Sequence, residues 1–313
     1  MKDFTSTKEI EKTLLDLNYR LTSRALNFWK GTEAPRHDPY DGFYDIVEPR
    51  VIKELRPSGT STRQRQRVFH SLLGHYLQSQ ISPYENELFT LMRGAAAHVD
   101  GEKIYFKDTL SWCQKRSNLQ KRKMIEKESS SLCKFLMPFA SGVWESLLKL
   151  LKDEFGYEDY TQYCFDKKQV DYEAYVSELQ ETLRETDTLY FEAMEAWAKK
   201  SLGVPLRELN RFDAIYLLGL GEFDHLFPDQ IPLSNHLDFF DQWEIDVKKI
   251  PGLALDINHS PKKGAQAMSF ALRIPDEIHL VMNPQGGWID LETLFHEMGH
   301  ALGHTFTSPD LSS

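Results

Sequence analysis

Apolar positions recur at helical spacing along most of the chain. Ile10, Leu14, Leu17, Leu21, Ala25 and Phe28 predict an amphipathic helix over residues 7–30. Thr32–Arg50, with Pro35, Pro39, Gly42 and Pro49, reads as a loop. Helical patterns resume over Arg63–Arg93 and Leu110–Leu151, and 101–106 has the character of a short strand or extended crossing. From Asp153 to Lys200 the sequence is acidic and aromatic. Tyr172, Tyr175, Leu179, Leu183, Leu189, Phe191 and Met194 fall on a helical period and are expected to pack in the core and between lobes, not to line a ligand box. Ser201-Leu202-Gly203-Val204-Pro205 is the strongest break. It divides a helical lobe at 1–200 from a second region at 201–313.

The periodicity changes after Pro251. Met268–Ile274 alternates apolar with small or polar residues, Pro275-Asp276-Glu277 reads as a turn, and Ile278–Met282 as a returning strand. A small antiparallel sheet is therefore expected over 268–282. Asn283–Gly287 then leads into a helix over 290–304, with Asp290 as its expected N-cap and Glu292 suited to the positive end of the helix dipole. On that helix Leu291, Leu294, Phe295, Met298, Ala301 and Leu302 form a continuous apolar stripe.

Nearly opposite the stripe lie His296 and His300, within His296-Glu297-Met298-Gly299-His300. Two imidazoles at i,i+4 share one helix face about 6 Å apart along the axis. Neutral imidazole ligates Zn2+ well, so the pair is a candidate metal grip, and Glu297, rotated around the helix, can reach an activated water without ligating the ion. Gly299 leaves the helix surface bare beside the histidines. The alternative for the same residues is two surface histidines on an amphipathic helix.

Composition narrows the partners. A chain of 313 residues with 41% hydrophobic content can bury a sizeable core in two lobes. A net charge of −10 argues against binding nucleic acid through its phosphates. The basic run Lys115-Arg116 through Lys121-Arg122-Lys123 is followed at once by Glu126 and Glu128, and reads as a solvated helix face. Cys113, Cys133 and Cys164 match no metal or redox spacing and read as free thiols in a reducing compartment. Met1–Lys12 lacks the apolar run of a signal peptide, and no stretch is long and apolar enough to cross a bilayer. A cytoplasmic protein without membrane partners is expected.

Residues from about Gly252 to Leu302 resemble the thimet oligopeptidase and oligoendopeptidase F family of zinc metallopeptidases. The carriers are Leu294-Phe295-His296-Glu297-Met298-Gly299-His300-Ala301-Leu302, then Asp290 and Glu292, then Lys262-Lys263-Gly264-Ala265 and the strand pair. The resemblance implies a mainly α, two-lobed fold with a deep cleft and a small sheet beside the zinc helix. It implies cleavage of short peptides, with His296 and His300 as zinc ligands and Glu297 as general base. The exposed edge of the sheet could hold an extended peptide by main-chain hydrogen bonds.

Two departures from that family bear on activity. Its third ligand, a Glu on a later helix, and its oxyanion-stabilising Tyr and His residues have no counterpart before Ser313. Phe306 stands where other zincins place a third His, and His304 lies a further turn along the helix. The expectation is a chain lacking the C-terminal part of a peptidase, with little activity alone unless a second chain or fragment supplies the missing ligand. The competing expectations are a non-catalytic helical protein that binds peptides or a partner, with a vestigial metal site, and a different zinc exopeptidase on a similar scaffold. Of the other histidines, His75, His98 and His259 have no partner spacing. Asp256 and His259 are weak candidates for lining the cleft.

Overall fold

The computed structural model describes residues 7–32, 38–57, 62–227, 232–263 and 267–308. Met1–Ser6 of the N-terminal segment, Pro35 of the first loop, Gly264-Ala265 and the final Pro309–Ser313 lie outside the described residues. The architecture is mainly α with little sheet, as the periodicity predicts. The chain forms two compact units, one of residues 1–10 and 44–218, the other of 11–43 and 219–313. α1 (Thr7–Trp29) spans their sequence boundary.

The first unit is built from α2 (Pro49–Glu54), α3 (Arg63–Gly94), a hairpin of β1 (Ala96–Val99) and β2 (Glu102–Tyr105), α4 (Thr109–Gln114), α5 (Leu119–Phe155), α6 (Tyr160–Lys168), α7 (Tyr172–Leu202) and α8 (Arg211–Leu218). Side-chain caps start several of the helices. Thr62 accepts from the Arg65 amide, Asn118 from Lys121, Asp159 from Gln162 and Asp171 from Glu173 and Ala174. The extended crossing at 101–106 is the second strand of the hairpin. Its Asp100-Gly101 turn has φ of 50° and 81°, the left-handed pair that a two-residue hairpin needs.

Expectations are corrected at two places in this unit. The predicted Leu110–Leu151 helix is interrupted between α4 and α5, where Arg122 folds back to donate to the Arg116 carbonyl. Arg122 is also no part of a solvated face, for it is 0% exposed and pairs with Asp213 at 2.7 Å. Around this pair, Ala97, Val99, Ile104, Cys113, Ile125 and Phe212 form an apolar cluster. Burial pushes the Cys113 thiol up to about 11, so it is an inert packing group. All three cysteines are free.

The second correction concerns α7. Met194 is buried and Tyr172 half-buried, but Tyr175, Leu179, Leu183, Leu189 and Phe191 are 44–71% exposed. Periodicity shows that a helix has an apolar face; it does not show what covers that face.

The second unit contains the remainder of α1, 3-10 turns at Gly221–Leu226, Leu233–Trp243 and Val247–Lys249, then β3 (Leu253–Asp256), β4 (Met268–Arg273), β5 (Glu277–Val281) and α9 (Trp288–Thr305). The expected antiparallel pair is β4–β5, with Ser269 opposite Leu280 and Phe270 opposite His279. Sequence reading missed β3, which adds parallel to β5 and gives the order β3-β5-β4. Gly252 permits that addition. Its φ is 78°, and a Cβ there would lie 2.2 Å from the Asp276 carbonyl oxygen.

The two sheet faces bury different partners, as the two-residue repeat of a strand requires. Phe270 and Val281 pack with Leu26, Ala25 and Trp29 of α1. Ile278 and Leu280 face the other way, into the core formed with α9. No described helix is long and apolar enough to cross a membrane.

Candidate metal centre

The helix that carries the two histidines starts two residues earlier than its sequence suggests, and Asp290 is not its N-cap. Gly287, at φ 88°, occupies that position, and the Asp224 carboxylate accepts from the Trp288 amide at 3.0 Å. A Cβ on residue 287 would lie 2.3 Å from an Asp224 carboxylate oxygen, so only glycine admits this cap. Asp290 instead sits buried in the first turn and reaches back to accept from the amides of Gln285 and Gly286. Both carboxylates satisfy amides at the positive end of the helix dipole. Asp224 was invisible to the sequence reading because it lies 64 residues from the amide it caps.

From that fixed start the apolar stripe runs as predicted. Leu294, Met298 and Ala301 are fully buried against Ile278, Leu280 and Met282, with Phe295 and Leu302 partly buried beside them. Burying this side turns His296 and His300 outward, and both are exposed. Their Nε2 atoms converge to 3.2 Å, with the ring planes at 75°. Two nitrogens bound to one tetrahedral Zn2+ at 2.0–2.1 Å stand about 3.3 Å apart. The pair therefore fits a shared metal ion with little movement. Among the described residues, a Cβ at Gly299 beside the pair would meet no atom within 4 Å.

Glu297 is half-buried on the flank of the helix, and its Oε2 accepts from the backbone N–H of Ser269 at 2.7 Å. Among the described residues no group of three or more His, Cys, Asp or Glu side chains is arranged to hold a metal. His304 is half-buried and Glu292 exposed. Of the weaker candidates, His259 joins His236, Asp290 and Leu291 around a cavity of about 460 Å3. Asp256 is committed elsewhere, to Lys263. His98 is exposed on β1, and His75 is half-buried on α3.

Lys263 is a residue whose role the sequence did not reveal. Its ammonium group, on a side chain 5% exposed, donates to the Asp256 carboxylate and to the carbonyls of Asp256, Asn258 and Met282. It thereby ties the last residue of β3 to the residue that follows β5, immediately before the connector to α9. Lys263→Met is expected to lower stability by about 1–2 kcal/mol, because the part-buried Asp256 carboxylate and the carbonyls of Asp256 and Met282 lose their donor. Urea denaturation followed by intrinsic tryptophan fluorescence measures this, and a loss below about 0.5 kcal/mol would contradict the clamp.

These features define a class, a mainly α chain in which a small mixed sheet supports a helix bearing His-Glu-x-x-His. The fold is similar to that of a candidate oligoendopeptidase F from Bacillus anthracis str. Ames, with a TM-score of 0.50 and 14% sequence identity over 96% of the present chain. At that identity the likeness is one of fold. The chain spans 55% of the length of that protein. No family model and no curated protein matches the sequence.

Proposed function

We propose that the chain carries the zinc-binding part of a metallopeptidase that hydrolyses short peptides. The observation that carries this reading is the convergence of the two imidazole nitrogens to 3.2 Å on an open helix face, with Glu297 beside them. The fold likeness to an oligoendopeptidase supports it. When bound, Zn2+ supplies Lewis-acid chemistry, polarising a carbonyl and lowering the pKa of water. His296 and His300 would hold the ion. Glu297 takes a proton from the attacking water and hands it to the leaving amine. The edge of β4 offers backbone groups to an extended peptide, which holds substrate with little side-chain selectivity.

Catalytic zinc sites use three protein ligands. Two candidates are found among the described residues, and on this reading a further donor from outside the described residues, or from a second chain, completes the site. The three free cysteines support a reducing compartment such as the cytoplasm as the protein's location.

Zinc titration by calorimetry tests this reading, together with a chelator-sensitive assay on a short fluorogenic peptide. One zinc ion per chain is expected, with uptake lost in His296→Ala and in His300→Ala. Uptake that survives both substitutions would overturn it. The alternative reading, a peptide-binding protein with a vestigial metal site, predicts peptide binding with no zinc-dependent turnover.

A further inference from the structure

β4 is an edge strand of its sheet, and one of its backbone amides is already engaged. The Ser269 N–H donates to Glu297 Oε2 at 2.7 Å, across 28 residues of sequence. Within a strand, the N–H and C=O of one residue point to the same side, so an amide that leaves the ladder for Glu297 marks residue 269 as facing the open edge. The side chain does not share in the contact. Ser269 pairs opposite Leu280 on the α9 side of the sheet, and its buried Oγ has no hydrogen-bond partner among the described residues. The grip on Glu297 is therefore made by the main chain alone.

We infer that Ser269, through its backbone N–H, is the positioning residue for Glu297. This inference rests on the peptidase reading. A glutamate on the flank of a helix has three side-chain torsions, and one charge-assisted hydrogen bond from a rigid strand selects a single placement among them. The same bond constrains the substrate. An extended peptide that pairs with the edge of β4 finds the acceptor position opposite Ser269 filled by the carboxylate. Its own backbone pairs beyond that residue, which sets the peptide group next in line beside Glu297. The strand thus fixes the base and the substrate register from one peptide unit.

The simpler role for this hydrogen bond is a tether that only holds α9 against the sheet. The two roles differ in what they change. Ser269→Pro removes the donor at an edge position where the ladder does not use it, the site in a sheet that tolerates proline. If Ser269 positions the base, kcat falls about 10- to 100-fold with KM within about threefold of wild type, as expected for a displaced catalytic group. Zinc uptake is retained, and Ser269→Ala, which keeps the N–H, restores kcat to within about threefold. If the bond is only a tether, Ser269→Pro lowers the unfolding midpoint and leaves kcat in place, which overturns the inference.

A second measurement needs neither turnover nor a folded proline variant. Amide hydrogen exchange at Ser269 is expected to quicken about tenfold or more in Glu297→Ala, since a charged acceptor is lost. Unchanged exchange there would show that the contact is absent and likewise overturn the inference. Loss of zinc uptake in neither His296→Ala nor His300→Ala, with quickened exchange in Glu297→Ala, would count against the peptidase reading and leave the grip on Glu297 standing.

Discussion

Glu297→Gln is expected to lower zinc-dependent turnover of a short peptide by about 10²–10⁴-fold, the range for loss of a general base. Zinc uptake should match the wild type, because the two imidazoles that face each other at 3.2 Å are untouched. The glutamine carbonyl can still accept from the Ser269 amide, so the local structure has no reason to change. The substitution removes basicity and nearly nothing else. Kinetics with a fluorogenic peptide, alongside metal analysis of the same sample, gives both readouts. A peptide-binding protein with a vestigial site would respond differently, with peptide affinity unaltered and no turnover in either form. Full activity in Glu297→Gln would remove this residue from the mechanism.

The largest stability effect is expected at the opposite kind of location, a charged pair sealed from water. Arg122 and Asp213 are each 0% exposed and lie 2.7 Å apart. Asp213 also accepts from the Asn210 amide at 3.0 Å, while the Arg122 guanidinium stacks 4.3 Å from the centre of the Tyr216 ring. Asp213→Ala leaves an uncompensated cation in the apolar cluster of the first unit, at a cost of about 3–5 kcal/mol. Replacing both partners by apolar residues of similar size, as in Arg122→Met with Asp213→Leu, should recover much of that loss. Urea unfolding monitored by circular dichroism distinguishes these outcomes, with separate transitions fitted for the two units. If Asp213→Ala costs less than about 1 kcal/mol, the buried pair has been misjudged.

These two sites show which parts of the molecule the sequence makes legible. The spacing of Leu294, Met298 and Ala301 is local information, and it correctly buries one side of the helix and turns His296 and His300 outward. Spacing along β4 and β5 likewise gives the hairpin. What the sequence hides is supplied at long range. β3 is only four residues long and its pairing to β5 is parallel, so no turn links them. Arg122 sits in a basic run whose neighbours Arg116 and Lys121 make exposed ion pairs with Glu102 and Asp100, and only the fold separates it from them. Ser269, Asp224 and Lys263 act through partners fixed by tertiary structure. The middle of α7 errs in the other direction, since a correct helical period led to an incorrect burial.

The segment between β5 and α9 is anchored almost residue by residue. Met282 offers its carbonyl to Lys263, Asn283 holds Ser260 and Lys263, Asp290 gathers the amides of Gln285 and Gly286, and Asp224 caps Trp288. A linker held this way has surrendered its conformational entropy at the folding stage. The imidazole pair consequently rides on the sheet as a rigid mount. On the proposed function, a cation bound there would require little further ordering of the backbone that carries the two imidazoles.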